Sequence, residues 1–541
     1  MKDYKRVKDP IYGYIKIPAM YMTNIVDTAV FQRLRRVIQT SYSPLYSSAV
    51  HNRFVHSMGV FYLGELTVEQ LIKEIRKKVN PPMDLENIGE LFKLACLLHD
   101  VGHAPFSHTG EYFYLGTAHD FTRLHNKLIQ TIGSKNFSED IPGISSSAAA
   151  HEIMSAIIGI SEFESFLGSV ENKEFFARCI TGYKYSKETT ENNLKNCFIS
   201  MLNSKVIDVD KLDYLIRDAY ITGFDTVNID FERLLSSLTI SKDDGEYKIT
   251  YYKNAISVIE NVVYAHDAER KWIQTHPVVL YEAYILQHIM GYLSEKIDNK
   301  DKKLFSLESL SKKGQHFENG LSISLLCDDD IIYLMKNSFY SELCEEFFER
   351  RIRRHPVWKS EAEYKAFVLD STSGGKWLEK FEKAMSATAM YLIKSTDSWV
   401  IDKALISKLE TEKETLLNTD MDIKTKQVQL ENKEMILKVI HSLESYAIEK
   451  GIDCNFVILK ASQFNSGFGK PDFSAINIAF QTKEGEKVAA VGKIVSALQA
   501  KARERDNFFY LFYKRKEGFD ADKNDIDNQE ICEKLFKDVV F

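Results

Sequence analysis

The most constraining feature of this chain is the stretch Leu97-Leu98-His99-Asp100-Val101-Gly102-His103-Ala104-Pro105-Phe106-Ser107-His108, where an apolar run starting at Leu85 ends in three histidines and one aspartate. Apolar residues recur at helical spacing up to Leu98, and Gly102 and Pro105 then break the helix. Such a cluster at a helix end invites a metal ion. Neutral imidazole is the commonest metal ligand, and a mixed histidine and carboxylate set suits Mn, Fe, Zn or Ni better than Ca.

Two further stretches add chemistry of the same kind. Upstream, His51-Asn52-Arg53-Phe54-Val55-His56-Ser57-Met58-Gly59 supplies two histidines and an arginine, and downstream Asp208 to Asp218 supplies carboxylates. Asp210, Tyr214 and Asp218 stand four apart, so on a helix they form one stripe at about 6 Å per step. Each piece alone has a plainer reading: a chance His-Asp pair, a salt-bridged surface helix, a satisfied polar histidine. In this order and with these flanks, the functional reading outweighs them.

The rest of the chain sets limits. Its 541 residues are 44% hydrophobic and 27% charged, enough for a large core and for one big domain with one or two smaller ones. No apolar leader and no run of about 18 apolar residues is visible, so a cytoplasmic chain away from membranes is expected. Seven scattered cysteines without a Cys-x-x-Cys pair argue against a disulfide framework or a zinc knuckle. A net charge of −7 disfavours stable binding of duplex nucleic acid, while leaving room for a local basic pocket.

Helical periodicity is expected from Asp27 to Gln39, Leu85 to Leu98 and Glu152 to Ile160, with a loop from Gly133 to Ser147. Two β-favouring runs flank Asp-Asp-Gly between Leu238 and Tyr251 and predict a hairpin. The organisation expected is a core with helical extension over 1–380, a charged helical segment over 381–450, and a small α/β appendage over 451–541. Within the charged segment, a solvated helix pair is expected between Ile401 and Lys450.

Over roughly residues 1–300 the sequence resembles the HD superfamily, and within it the deoxynucleoside triphosphate triphosphohydrolases. The resemblance is carried by Phe31-Gln32-Arg33-Leu34-Arg35, the His51 to Gly59 stretch, the Leu97 to His108 stretch, His151-Glu152, and Asp210 to Asp218. It implies a mainly α fold, an HD-domain helical bundle with a small β ornament, followed here by the helical extension and the C-terminal α/β appendage. It implies one divalent ion, Mn or Fe ahead of Mg or Zn, on His56, His99, Asp100 and Asp210. His103, His151 and His108 match catalytic histidines, with His108 near the departing 5′ oxygen, and Glu111 stands where the family usually has an Asp that supports the catalytic His, here taken as His103. Arg53, Lys211 and Tyr214 match triphosphate contacts, and Gln39 and Asp218 match sugar contacts.

The activity so implied is hydrolysis of a dNTP to deoxynucleoside and tripolyphosphate, with dNTP depletion in nucleotide homeostasis or phage defence as the use. Arg33 and Arg35 stand where the family has basic residues near an inter-subunit nucleotide site, implying an activating nucleotide in a homodimer or homotetramer; a solvated basic helix face fits them equally. The family's γ-phosphate arginine has no clear counterpart between Lys271 and Tyr281, where His276 and Tyr281 are the substitutes on offer. Competing readings are an HD phosphohydrolase for an oligonucleotide, a cyclic nucleotide or guanosine tetraphosphate, and a nucleotide sensor without turnover.

Overall fold

Helix α1 (Arg53–Lys78) organises the first part of the molecule, because 16 of its 26 residues are buried. A helix apolar on most of its circumference has to be surrounded. Against it pack α2 (Leu85–Leu98) and, further along the chain, α7 (Val209–Thr222). Between them in sequence come α3 (Ala118–Ile132), α4 (Ala150–Glu162), α5 (Val170–Thr181) and α6 (Thr190–Leu202). Most starts are set by capping side chains that accept a first-turn amide, namely Asn52, Asp84, Ser169, Thr189 and Asp208.

The computed structural model describes residues 3–114, 118–141, 148–204, 207–224, 228–243, 245–337, 339–368, 375–394, 398–419, 422–461, 476–483, 485–495, 509–515 and 526–541. The chain forms two compact units: Met1–Lys271 with Ser294–Tyr333 and Ser466–Arg503, and Trp272–Leu293 with Leu334–Asn465 and Glu504–Phe541. This differs from the linear division expected above, and the strands explain why. In the first unit, β1 (Tyr4–Asp9) and β2 (Gly13–Pro18) form an antiparallel hairpin. The expected hairpin is β3 (Leu238–Asp243) paired with β4 (Glu246–Tyr252). Asn477–Thr482 then adds to β4 in parallel, and Gly485–Ala490 pairs with it in turn. Part of the C-terminal sequence thus completes the first unit's sheet.

The second unit keeps two other strands of the C-terminal sequence. Phe456–Lys460 and Phe509–Tyr513 pair antiparallel, with His355–Pro356 on the far side of the latter. Helix Gly375–Lys394 packs on this sheet. The expected helix pair is Lys403–Asn418 against Ile423–Lys450, its charges matched across the seam by Lys413–Glu434 at 3.0 Å and Lys433–Glu412 at 2.5 Å.

Other expectations shift in detail. The helix expected from Asp27 to Gln39 runs from Ala29 to Arg36, its last turn being 3₁₀, because Ile38 leaves to pair with Asn52. In the loop expected after Gly133, Lys135–Asp140 is helical and 142–147 lie outside the described residues. All seven cysteines are free thiols, and among the described residues no helix is long and apolar enough to cross a membrane.

Candidate active site

Three helix ends in the first unit meet at one point. His56 sits in the first turn of α1, His99 and Asp100 follow the last turn of α2, and Asp210 lies in the first turn of α7. His56 Nε2 is 3.0 Å from Asp210 Oδ1, 3.3 Å from His99 Nε2 and 3.7 Å from Asp100 Oδ2. His99 Nε2 is 3.4 Å from Asp100 Oδ1 and 3.7 Å from Asp210 Oδ1. The structure therefore brings the four expected metal ligands together.

Their supports show that the donor set fits a cation. His99 Nδ1 donates to the Cys96 carbonyl at 2.9 Å, which leaves the Nε2 lone pair facing the centre. His56 Nδ1 bonds Asp213 Oδ2 at 2.7 Å. Asp213 in turn accepts two bonds from Arg217, at 2.9 and 3.0 Å, and Arg217 donates to Asp9 at 3.0 Å. A Cβ on Gly59 would lie 1.9 Å from Asp213 Oδ1, so only glycine lets α1 pass this carboxylate.

The electrostatics agree. Burial alone would raise Asp100, but Arg53, with Nη1 at 2.9 Å, and the two imidazoles hold it below the usual carboxylate range. Asp210 is held down in the same way, against burial, by His56 and His99. Burial would lower His56, yet Asp210, Asp213 and Asp100 outweigh it and hold the ring up at about 10. Two carboxylates and two inward nitrogens, gathered within 3.7 Å of one another in pairs, form a place that could hold a divalent ion.

Beside this centre lies a histidine cluster. The His103 ring stacks on His151 at 4.2 Å between centroids and 13° between planes, and His108 meets both edge-on. His103 Nε2 is 3.6 Å from Asp100 Oδ1, and neither ring nitrogen of this fully buried side chain has a hydrogen-bond partner. Unpaired buried nitrogens at this position suit a site whose ligand completes them. Gly102 permits the approach: its amide donates to Ser155 Oγ at 2.9 Å, and a Cβ there would sit 2.3 Å from the Ser155 nitrogen.

The expectation that Glu111 orients His103 is corrected. Glu111 accepts from His151 Nδ1 at 2.9 Å and from His108 Nδ1 at 3.0 Å, and also from the His151 amide at 3.2 Å. The reason is local geometry: Glu111 follows His108 by three residues on one short helical turn, and the N-terminus of α4 points an amide at it. Despite burial, His151 and His108 hold Glu111 well below its ordinary value. Burial would lower His151, but Glu111 raises it to about 9. His103 is pushed well down by burial and then by the nearby Arg53 and His151 charges, and His108 is lowered mainly by burial. One proton is thus stored on His151, beside a neutral His103.

The connecting loop is strained. Phe106 and Ser107 both have positive φ, 55° and 54°, which costs roughly 1–3 kcal/mol at each non-glycine residue. Arg53 Nε donates to Ser107 Oγ at 2.8 Å, Ser107 Oγ donates to the Ile38 carbonyl, and the Phe106 amide donates to Asp328 at 2.7 Å. Asp328 belongs to an acidic run, Asp328-Asp329-Asp330, that gave no sign of facing inward.

The expected substrate contacts lie in the same unit. Gln39 is buried, its carbonyl accepts from Arg53 at 3.2 Å, and its Oε1 has no partner. Lys211 donates to Asp208 at 2.7 Å and to the Ser204 carbonyl at 2.8 Å; burial would lower it, but Asp208 and Asp210 raise it and keep it charged. Tyr214 and Asp218 are buried along α7. Asp218 Oδ1 is held by His51 Nε2 at 2.7 Å, from the same stretch that carries Arg53 and His56.

Other residues are placed differently. Arg33 is buried, donating to the carbonyls of Leu326, Val101 and His103 at 2.7, 2.9 and 2.8 Å, so it is neither a solvated face nor a nucleotide contact. Arg35 stays on the surface, stacked over Phe54 at 3.5 Å. Tyr281, in the second unit, donates to Glu346 at 2.5 Å and is fully buried there; His276 accepts from the Val278 amide at 3.3 Å.

The model of the HD domain matches residues 53–192. An uncharacterized protein from Methanocaldococcus jannaschii is 27% identical over 69% of this chain and 62% of its own length. The deoxynucleoside triphosphate triphosphohydrolase SAMHD1 homolog of Dictyostelium discoideum is 29% identical over 51% of this chain and 47% of its own. The chain therefore spans less than two thirds of either relative. A crystal structure of a hypothetical protein from Aquifex aeolicus shares the fold at a TM-score of 0.53 and 19% identity, with 99% of both chains covered. With its candidate metal ligands and histidine cluster lying on that domain and on α7, this chain carries an HD domain over residues 53–192 and is similar to deoxynucleoside triphosphate triphosphohydrolases.

Proposed function

We propose that this protein is a metal-dependent phosphohydrolase that cleaves deoxynucleoside triphosphates to deoxynucleoside and tripolyphosphate. The observation that carries the reading is Asp100, whose carboxylate stands within 3.7 Å of both metal-facing imidazoles and 3.6 Å from His103. An ion site and a proton-storing cluster in contact are the parts a phosphoester hydrolysis needs. A divalent ion on His56, His99, Asp100 and Asp210 would supply Lewis acidity toward a phosphoryl group.

The protein's own residues do the rest. Arg53 and Lys211, both charged and held by carboxylates, offset phosphate charge. Glu111 stabilises an imidazolium in the His108 and His151 pair, the source of a proton for the departing 5′ oxygen. Gln39, Tyr214 and Asp218 favour a nucleoside triphosphate over an oligonucleotide or a cyclic nucleotide. Arg35 remains the candidate for nucleotide activation of a homodimer or homotetramer, and depletion of dNTPs would serve nucleotide homeostasis or phage defence.

Incubation with each of the four dNTPs, singly and mixed, with Mn or Mg tests this, products being resolved by ion-pair chromatography. Tripolyphosphate with deoxynucleoside is expected; turnover only in mixtures would identify an activator, and no product in any mixture would overturn the reading. His103→Ala is expected to keep its metal and fold while losing turnover by roughly 10²–10⁴-fold. Retained activity would remove His103 from the chemistry.

A further inference from the structure

Asp328 lies well beyond the residues matched by the HD domain, yet it reaches into the loop that carries His103 and His108. Its two oxygens do separate work: Oδ1 accepts from the Phe106 amide at 2.7 Å and Oδ2 from the Ile38 amide at 2.8 Å. Phe106 is the first of the two positive-φ residues between the histidines, and Ile38 precedes Gln39. The neighbouring acidic residues do something else, Asp329 lying 3.5 Å from Arg36 on the surface and Asp330 capping the Cys327 amide at 2.9 Å.

We propose that Asp328 is a positioning residue, which holds the loop between His103 and His108 in its strained form and fixes it against the edge that carries Gln39. A backbone that prefers negative φ relaxes when its restraints are removed, and here the relaxation would move both histidine-bearing ends. Arg33 closes the same clamp from the other side, joining the Leu326 carbonyl, two residues before Asp328, to those of Val101 and His103. One buried segment is thereby bonded to both ends of the catalytic loop and to the sugar-facing edge. The role in turnover rests on the phosphohydrolase reading; the restraint on the loop does not.

Asp328→Asn is the test, because it keeps the shape and one acceptor while leaving one of the two amides facing an NH₂ group. Turnover is expected to fall at least 10-fold, with KM within about threefold and bound metal unchanged. Hydrogen exchange at the Phe106 and Ile38 amides is expected to accelerate. Glu174→Gln, which weakens the buried Arg178 ion pair elsewhere in this unit, serves as the control for a loss of stability without loss of turnover. Should Asp328→Asn fail to fold, Asp328→Glu retains both acceptors one methylene further out and is expected to give the same kcat loss in milder form. Unchanged exchange would overturn the proposal, and so would faster exchange with unchanged kcat. If the unaltered protein turns over no dNTP, that outcome counts against the substrate reading, while the exchange measurement still decides whether Asp328 restrains the loop.

Discussion

Asp213→Ala is expected to lower the unfolding free energy by about 3–5 kcal/mol, the range for removing one partner of a buried ion pair. It is also expected to weaken metal retention by roughly 10–100-fold, as loss of a supporting ligand contact does. Asp213 touches no ion, yet its fully buried carboxylate serves both His56 Nδ1 and the Arg217 guanidinium. Without it Arg217 keeps only Asp9, and the His56 ring loses the bond that aims its Nε2. Asp213→Asn retains the shape and one acceptor, so it should lose less stability than the alanine variant. Burial would raise Asp213, but Arg217 and His56 hold it down at about 2, against 3.8 unperturbed. Its contribution is therefore present above about pH 4 and lost as the pH falls toward 2. The stability difference between the unaltered protein and Asp213→Ala should shrink over that interval. Denaturant unfolding and metal analysis of the purified variants check both statements, and a variant with full metal and full stability would refute them.

Glu111→Gln is expected to reduce turnover by roughly 10²–10⁴-fold while metal content stays unchanged. The amide offers one acceptor where the carboxylate offered two, so either His108 or His151 must give up its Nδ1 bond or change tautomer. Removing the negative charge also removes the main force that raises His151 against burial. In the unaltered protein the His151 contribution is present below about pH 6.5 and is lost as the pH rises through about 9. The basic limb of the pH–rate profile should accordingly lie near 9 and move toward lower pH in Glu111→Gln. Glu111→Asp, which keeps the charge and shortens the reach, separates the two causes: a normal pH limb with low turnover would assign the loss to geometry. A Glu111→Gln protein with undiminished turnover would take this carboxylate out of the mechanism.

How far the site could be read from sequence depends on how local its causes are. His99 and Asp100 stood out because a helical apolar run stops at them, and the Asp210, Tyr214 and Asp218 stripe follows from helical spacing. Asp213, three residues from Asp210 and four before Arg217, had a readable spacing but passed as part of a salt-bridged face. The partners of Glu111 were half readable: His108 is three residues away, whereas His151 arrives from another helix. Arg33 was misread because Gln32-Arg33-Leu34-Arg35-Arg36 looks like a solvated basic face, and only the carbonyls of Val101, His103 and Leu326 take it inside. Asp328 was hidden for the same reason, since nothing within an acidic tripeptide tells which member turns inward. The strand at Asn477–Thr482 lies in the stretch expected to form a separate α/β appendage, and its pairing with β4, more than 200 residues earlier, has no local signature.

The chain of bonds from Asp9 through Arg217 and Asp213 to His56, together with the reach of Asp328 to Phe106, also has a consequence for biosynthesis. At a ribosomal rate of about 5–20 residues per second, roughly 15–60 s separate the emergence of the first of these residues from the last. The long helix α1 is made early but has no carboxylate to aim His56 until α7 follows. Nascent chains therefore carry His56 and His99 well before Asp210 and Asp213 complete the candidate metal centre, so metal acquisition is expected to be late, largely after synthesis. Growth-medium metal supplied after synthesis should load this protein about as well as metal present throughout.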